Sequence, residues 1–344
     1  MLIDTIRERM ITNMICPICK NMGASLYEKL SDHTFGTEGI WDLNICIHCH
    51  HVWLRTIPNR THIMPLYKDY YTHVLTKSGV SSYLLNELED HIYCNHYGYT
   101  SVYSYYKHHR IIRYLATIEI LREVIEYKIM KIPRSWGTRL LDIGCGNGVF
   151  ISKMQSLGWY VEGTDIDLAS IEYARNIFKL NVHYGEIHDL SIRSNSFDII
   201  TLNHVIEHID NPSVLLSECY RILKPGGKLV LLTPNIESLG SKIFKQYWRG
   251  LEIPRHFNLF TMDTLIKTCI LTGFRTHSVT TTARMARHLY RESLKIYVKS
   301  KRSSNMITIE PIEKLSSYLF QIFEWVINKV KRSMGEEIFY IGTK

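Results

Sequence analysis

Three groups of residues in this 344-residue chain have types and spacings that could do chemistry. The first is Cys16-Pro17-Ile18-Cys19 and Cys46-Ile47-His48-Cys49, two C-x-x-C pairs separated by 26 residues. Thiolates paired in this way give tetrahedral sulfur ligation, which suits zinc. Four protein ligands make a closed, structural site rather than a catalytic one. A redox dithiol is the competing reading, weakened because two pairs occur and neither opens an α/β unit. His48, His50 and His51 lie close enough to substitute as ligands, and we expect them to be bystanders.

The second group is Leu140-Leu141-Asp142-Ile143-Gly144-Cys145-Gly146-Asn147-Gly148, an apolar run entering a glycine-rich turn. Glycines let the backbone bend sharply and let a ligand approach with no Cβ in the way. A dinucleotide fingerprint would carry glycine or alanine where Val149 stands. Asp165 follows at the end of the next apolar run, where an acid can accept hydrogen bonds from both ribose hydroxyls. A Rossmann-like turn without a ligand and a nicotinamide or nucleotide site remain the alternatives; Asp167, near the same position, reads as a solvated turn residue.

The third group is Asn203-His204-Val205-Ile206-Glu207-His208-Ile209. On a helical turn His204, Glu207 and His208 stand at i, i+3 and i+4 and share a face. That face falls at the carboxyl edge of the predicted sheet, where ligands bind in open α/β folds. Three readings stay open: Glu207 and His208 brace the turn, His208 acts as general base, or the three bind a divalent metal. His256, in Pro254-Arg255-His256-Phe257-Asn258-Leu259-Phe260, is a second candidate base, with a backbone-bonded loop histidine as the alternative.

With these residues in view, the chain resembles the class I S-adenosylmethionine-dependent methyltransferase superfamily. Asp142, Gly144, Gly146 and Gly148 match its D-x-G-x-G-x-G motif, with Cys145 inside the same turn. Asp165, followed by Ile166, matches its ribose-binding acid. Gly185-Glu186-Ile187-His188-Asp189-Leu190 resembles its adenine-contacting segment, which implies adenine at Glu186 and the Ile187 N–H. Ser196–Ile200 and Ile222–Gly227 resemble the entries to its fourth and fifth strands, and Asn203 closes the fourth beside the implied cofactor. Val205-Ile206-Glu207-His208 is similar to a V-x-E-H stretch of ubiquinone-biosynthesis O-methyltransferases, although those enzymes often carry an acid where His204 stands. The resemblance covers Arg139 to about Thr282 well and the C-terminal strand loosely. The N/D-P-P-Y-type segment of nucleobase amino-methylating relatives is missing. The cysteine module resembles those preceding methyltransferase domains in bacterial sugar and natural-product enzymes, where partner binding, acceptor binding and buttressing are all open roles.

The elements that must position these residues follow from periodicity. Strands are predicted at Arg139–Ile143, Tyr160–Thr164, Asn181–Tyr184, Asp198–Asn203, Lys228–Thr233, His277–Thr282 and Glu337–Thr343. Helices are predicted at Ile111–Ile132, Val149–Leu157, Leu168–Phe178, Pro212–Leu223, Met262–Leu271, Met285–Tyr297 and Ile312–Val330, and a turn at Lys224-Pro225-Gly226-Gly227. The alternation predicts an α/β fold: a Rossmann-like, doubly wound seven-stranded sheet with a small N-terminal zinc ribbon. The expected domains are the ribbon at 10–56, a Tyr-rich helical linker or lid at 57–136, and the methyltransferase domain at 137–344.

Composition sets the outer bounds. Of the chain, 45% is apolar, and 41 basic against 33 acidic residues give a formal charge of +8, which permits an anionic partner without demanding one. No run of about eighteen uncharged apolar residues predicts a transmembrane helix, and Met1–Met10 lacks the core of a secretory signal. The cysteine pattern points to a reducing cytoplasm. The 22 tyrosines concentrate between Tyr67 and Tyr127; those of Tyr67–Tyr106 read as a lid, or as an acceptor or base-stacking surface. Leu315–Val330 is apolar on more than one face, which reads as core packing, a homodimer contact, or a membrane-docking face beside Lys329, Lys331 and Arg332. The leading expectation is methylation of a small-molecule hydroxyl, on a sugar, polysaccharide precursor or natural product. RNA methylation guided by the zinc module, and a non-catalytic binding protein that retains the fold, are the alternatives.

Overall fold

The computed structural model describes residues 14–58, 83–100, 109–301 and 310–344. Much of the tyrosine-rich stretch expected to form a lid, at 59–82 and 101–108, lies outside the described residues, as does the segment 1–13. Among the described residues the strands are β1 (Gly23–Leu30), β2 (Trp41–Cys46), β3 (Val52–Leu54), β4 (Arg139–Ile143), β5 (Tyr160–Asp165), β6 (Asn181–Tyr184), β7 (Phe197–Asn203), β8 (Leu223–Pro234), β9 (Asn258–Leu259), β10 (Arg275–Thr282) and β11 (Glu337–Thr343). The helices are α1 (Tyr83–Tyr97), α2 (His109–Thr117), α3 (Glu119–Tyr127), α4 (Val149–Ser156), α5 (Leu168–Phe178), α6 (Pro212–Ile222), α7 (Leu239–Phe244), α8 (Met262–Leu271), α9 (Ala286–Lys301) and α10 (Glu310–Val330).

A seven-stranded sheet runs β10-β11-β8-β7-β4-β5-β6. β4 lies parallel to both β5 and β7, β5 parallel to β6, and β10 antiparallel to β11. This is the Rossmann-like order in which the chain starts at the centre and winds outward twice. β4 can occupy the centre because four of its five residues are buried, as a strand covered on both faces requires. Local chemistry sets the helix starts: Asp167 accepts from the Ala169 N–H at the head of α5, and Thr261 and Thr264 form a capping box at the head of α8.

Two local expectations fail. The single helix predicted over Ile111–Ile132 is broken into α2 and α3 at Ile118, whose extended backbone (φ −75°, ψ 103°) interrupts the ladder. Helical residues then end at Tyr127, and Met130 and Lys131 turn left-handed (φ 46° and 51°). The turn predicted at Lys224–Gly227 is instead the beginning of β8, with Gly226 at φ 78°. The Gly226 N–H donates to the Lys344 carbonyl, and the Lys344 N–H to the Gly227 carbonyl. The C-terminal residue thus provides a pairing partner that local turn chemistry does not foresee.

The described residues divide into two compact units that do not follow chain order: one gathers those of 14–58, 203–220 and 231–343, the other those of 83–202, 221–230 and 344. The first contains a four-stranded sheet, β1-β2-β3-β9, in which β3 pairs with β9 across more than 200 residues of chain. Leu43, Val52 and Leu54 from this sheet pack with Trp248, Leu251, Ile253, Phe257 and Leu259 in one apolar core. The second unit holds β4–β6 and the helices α1–α5.

A buried acid pair lies in the first unit. Glu324 accepts from the Glu336 N–H at 2.9 Å, and Glu336 accepts from Trp248 Nε1 (2.8 Å) and Ser238 Oγ (3.0 Å). A Cβ on Gly240 would stand 1.9 Å from Glu336 Oε1, so glycine is required there. Burial first, then mutual repulsion for Glu324, raises both carboxyls above their ordinary value of 4.5, so the pair retains a proton near neutrality. An acid whose folded pKa is raised binds more protons folded than unfolded, so it loses stability as pH rises above about 4.5. Glu324→Gln is therefore expected to gain stability relative to the parent between pH 5 and 8, by up to about 1.4 kcal/mol per pH unit per proton removed. Paired thermal melts across that range measure the difference.

Candidate functional site

The four cysteines converge. Cys16 Sγ and Cys49 Sγ are 3.6 Å apart, Cys19 Sγ and Cys46 Sγ 3.4 Å, and all four sulfurs lie within 4.8 Å of one another. A disulfide needs about 2.05 Å, so these are free thiols. Four sulfurs about 2.3 Å from a central ion stand about 3.8 Å apart, so the cluster fits a tetrahedral metal. The two knuckles repeat one turn: Lys20 and His50, each four residues beyond its first cysteine, are left-handed (φ 62° and 60°) and donate their N–H to the Cys16 and Cys46 carbonyls. The neighbouring histidines fall outside the four-thiol group, and His51 is buried against Asn258, Nε2 to Oδ1 at 2.9 Å.

In the second unit the glycine turn is built as its residue types require. Gly144, Gly146 and Gly148 are all left-handed, at φ 71°, 53° and 79°. A Cβ on Gly148 would stand 2.7 Å from Leu180 Cδ1. The Gly144 and Cys145 N–H groups donate to the Thr164 carbonyl, which ties the turn to the end of β5. Asp165 clasps the same turn: its carboxylate accepts from the Gly146 N–H (2.7 Å) and the Asp167 N–H (2.9 Å). Each carboxylate oxygen has a further lone pair, so the acid can still accept from two hydroxyls. Asp142 is buried and bonded to Thr201 Oγ1 at 2.5 Å; burial pushes its pKa up to about 7. It braces the strand end beneath the turn. Cys145 is buried and its thiol pushed well up, which makes it inert. Ile166 is half-buried beside Asp165. Glu186 is half-buried and precedes a single 3-10 turn (Ile187–Asp189) in which Ile187 is buried, and the Gly185 N–H reaches the Asp165 carbonyl.

The histidine–glutamate group lies in the first unit, together with exposed Asn203 at the end of β7. His204, Glu207 and His208 do not share a helical face. His204 is left-handed (φ 55°), and the helical turn begins only at Ile206. Its ring is held between two carboxylates, Nδ1 to Glu207 Oε1 at 3.1 Å and Nε2 to Glu337 Oε1 at 2.8 Å. Although burial opposes the charge, these two acids raise its pKa to about 10, so it is an imidazolium at neutral pH. With a proton on both nitrogens, His204 is no metal ligand, and the trio weighed for metal from the sequence gives way to another. Glu207, His208 and His256 bring one ligand atom each within 4.8 Å. The rings of His208 and His256 meet edge to face, centroids 4.7 Å apart.

Hydrogen bonding fixes the tautomers of this pair. His208 Nδ1 is 3.0 Å from the Arg255 carbonyl, and His256 Nδ1 is 2.8 Å from the Gly250 carbonyl. A carbonyl accepts only, so each Nδ1 carries a proton. Burial pushes His256 down to about 4 despite Glu252 and Glu207, so it is neutral. Glu207 is fully buried, accepts from Thr233 Oγ1 at 2.9 Å, and is held ionised by His204, its pKa lowered to about 2.

Several residues beyond the sequence reading complete this group. Arg255 makes a buried ion pair with Asp32 (3.0 Å) and stacks on Phe35, so the ribbon side of the unit holds the histidine-bearing loop. Phe257 N–H donates to the Glu207 carbonyl, and Leu54 N–H to the Phe257 carbonyl. Glu252, ionised beside Arg249, lies 3.7 Å from His256 Nε2 and lines a cleft of about 310 Å³ with Asp32, Tyr247, Trp248 and Arg249. No local sequence signal marks Asp32 or Glu337, which lie 223 and 133 residues from their partners.

A largely parallel Rossmann-like sheet, a left-handed glycine turn after its first strand and an acid closing the second define the class I methyltransferase fold. The chain belongs to the methyltransferase-domain family, whose profile matches residues 106–279, half of its length. It is 28% identical over 164 residues to an uncharacterized 37.1 kDa protein of a Streptomyces fradiae transposon, covering 46% of either chain. It is 34% identical over 105 residues to the ubiquinone biosynthesis O-methyltransferase of Xanthomonas oryzae pv. oryzae, covering 29% of this chain and 44% of that one. The chain thus spans less than half the length of the curated relatives it matches. Among solved structures, a SAM-dependent methyltransferase from Archaeoglobus fulgidus aligns over 67% of this chain and 94% of its own, with 25% identity and a TM-score of 0.42.

Proposed function

We propose that this chain methylates a small-molecule hydroxyl with S-adenosylmethionine as donor. The observation that carries this reading is the glycine turn clasped by Asp165 within a family-matched sheet. The cofactor supplies a methyl group already activated on a sulfonium. The backbone of Gly144–Gly148 would lie against it, Asp165 would accept from its ribose hydroxyls, and Glu186 with the Ile187 N–H would meet its adenine. Ile166 would border it. The protein must align the acceptor and take up its proton.

His208 is the group we assign to the proton. Its Nδ1–H is pinned to the Arg255 carbonyl, which orients the ring. It is half-buried, whereas His256 behind it is fully enclosed and serves as a neutral support. Glu207, anchored by His204 and Thr233, places a carboxylate beside His208. His208→Asn is expected to lower kcat by about 10²–10³ while leaving cofactor affinity within about twofold. The acceptor is found first by tritiated methyl transfer into cell extracts with mass spectrometry of the labelled product. Labelled RNA, together with strong salt-sensitive RNA binding, would replace the small-molecule reading.

A second reading has its own observation. Two imidazoles and one carboxylate, gathered at Glu207, His208 and His256, are ligand types that hold a first-row divalent cation. Methyl transfer that survives exhaustive chelation rules it out. The four-cysteine cluster we assign to structural zinc, and its role to buttressing, because the β3–β9 pairing and the Arg255–Asp32 ion pair join the ribbon to the loop that bears His256.

A further inference from the structure

Helix α10 has two faces, and one of them has no cover among the described residues. Glu313, Ser317, Phe320 and Glu324 turn inward, at the four- and three-residue spacing of a helical stripe. On the opposite side stand Ile312, Leu315, Leu319, Ile322 and Val326, at steps of three and four, with Phe323 and Val330 beside them. All seven are exposed, from 49% at Val326 to 83% at Val330. Together they form an apolar stripe along the helix, the kind of exposed patch that marks an interaction surface on a soluble protein.

Among the described residues, the exposed charges on this helix have one sign. On α10 and the turn after it, the described exposed charged residues are Lys314, Lys329, Lys331 and Arg332, while the acids Glu313 and Glu324 are buried. Helix α9, packed along α10, adds exposed Arg287 over the Tyr318 ring, while its Lys295 pairs with Glu292 and its Lys299 reaches the His33 carbonyl. No described helix is long and apolar enough to cross a membrane. A second copy would pack stripe on stripe about a twofold axis and set this basic rim against itself. An apolar stripe rimmed by cations matches an anionic bilayer surface, with the side chains in the acyl boundary and the cations at the headgroups.

We propose that α10 docks this protein on anionic lipid bilayers, lying in the plane of the interface. The stripe thereby adds a binding function that does not depend on methyl transfer, and it would present the protein to acceptors that carry a lipid tail.

The test is flotation of the full chain, without methyl donor, on phosphatidylcholine vesicles with and without about 30 mol% phosphatidylglycerol. At least about tenfold more protein should float with the anionic vesicles, falling as salt rises. Leu319→Asp/Ile322→Asp should abolish the binding with an unchanged melting curve, and Lys329→Glu/Lys331→Glu/Arg332→Glu should weaken it on anionic vesicles. Phe323→Trp provides a direct reading, since its emission should be quenched by brominated lipid. Equal flotation with both vesicle types, binding retained in Leu319→Asp/Ile322→Asp, or no quenching at residue 323 would overturn the proposal. So would a dimer in light scattering that the aspartate variant dissociates and that binds no vesicles. Because flotation needs neither cofactor nor acceptor, its outcome is separate from that of the methyl-transfer assay.

Discussion

Asp165→Ala is expected to lose S-adenosylmethionine binding by a factor of at least about 100. In the structure this carboxylate already accepts from the Gly146 and Asp167 N–H groups, so its oxygens are held at the mouth of the glycine turn. Two ribose hydroxyls donating to it would form charge-assisted bonds worth about 1.5–3 kcal/mol each, which together exceed a hundredfold in affinity. Alanine also leaves the Gly146 N–H without its acceptor, loosening a turn whose three glycines are left-handed. The fold should survive, because β5 remains paired to β4 and β6. Asp165→Asn separates the two effects, keeping the size and one acceptor oxygen but not the charge; its affinity should fall between parent and alanine. Equilibrium dialysis with labelled cofactor ranks the three proteins. Affinity retained in the alanine variant would remove Asp165 from the site.

The second large effect concerns the cysteine cluster. Cys46→Ser, or removal of metal by a strong chelator, should melt the ribbon, since four thiolates without an ion have little to hold their knuckles together. Structural zinc in such modules contributes on the order of 10 kcal/mol of apparent binding energy, so its loss is felt as unfolding. The consequence reaches further than the ribbon. β3 pairs with β9, the ribbon core includes Trp248 and Phe257, and Asp32 neutralises buried Arg255. Removing one partner of a buried ion pair costs about 3–5 kcal/mol, and here it frees the loop that fixes both histidine tautomers. We therefore expect metal loss to abolish turnover as well as lower the melting temperature. Zinc content by elemental analysis should fall from one per chain to none in Cys46→Ser. Full activity with no zinc bound would contradict this coupling.

Legibility in the sequence tracked the distance over which each feature is determined. β4, β6, α5 and α8 lie where their apolar periodicity places them, because β4 is buried on both faces and α5 and α8 carry their own caps. The thiols were readable from two short motifs, and the glycine turn from one. Partnerships set by tertiary contact were not. His204 looks like a ligand beside Glu207 and His208 until Glu337, 133 residues away, takes its second nitrogen. His256 gains its place from a carbonyl six residues back and from an Arg255–Asp32 pair spanning 223 residues. The break at Ile118 and the strand character of Lys224–Gly227 likewise depend on backbone geometry and on a C-terminal partner, not on residue type. The exposed stripe of α10 shows a converse case: its periodicity is plain, but the absence of a cover among the described residues is visible only in the fold.

Isothermal titration of the parent protein with S-adenosylmethionine, S-adenosylhomocysteine and NAD tests the central claim most directly. The account predicts one site per chain, with micromolar affinity for the first two and no heat from the third. Saturable NAD binding, or no binding of either adenosyl compound to well-folded protein, would contradict it.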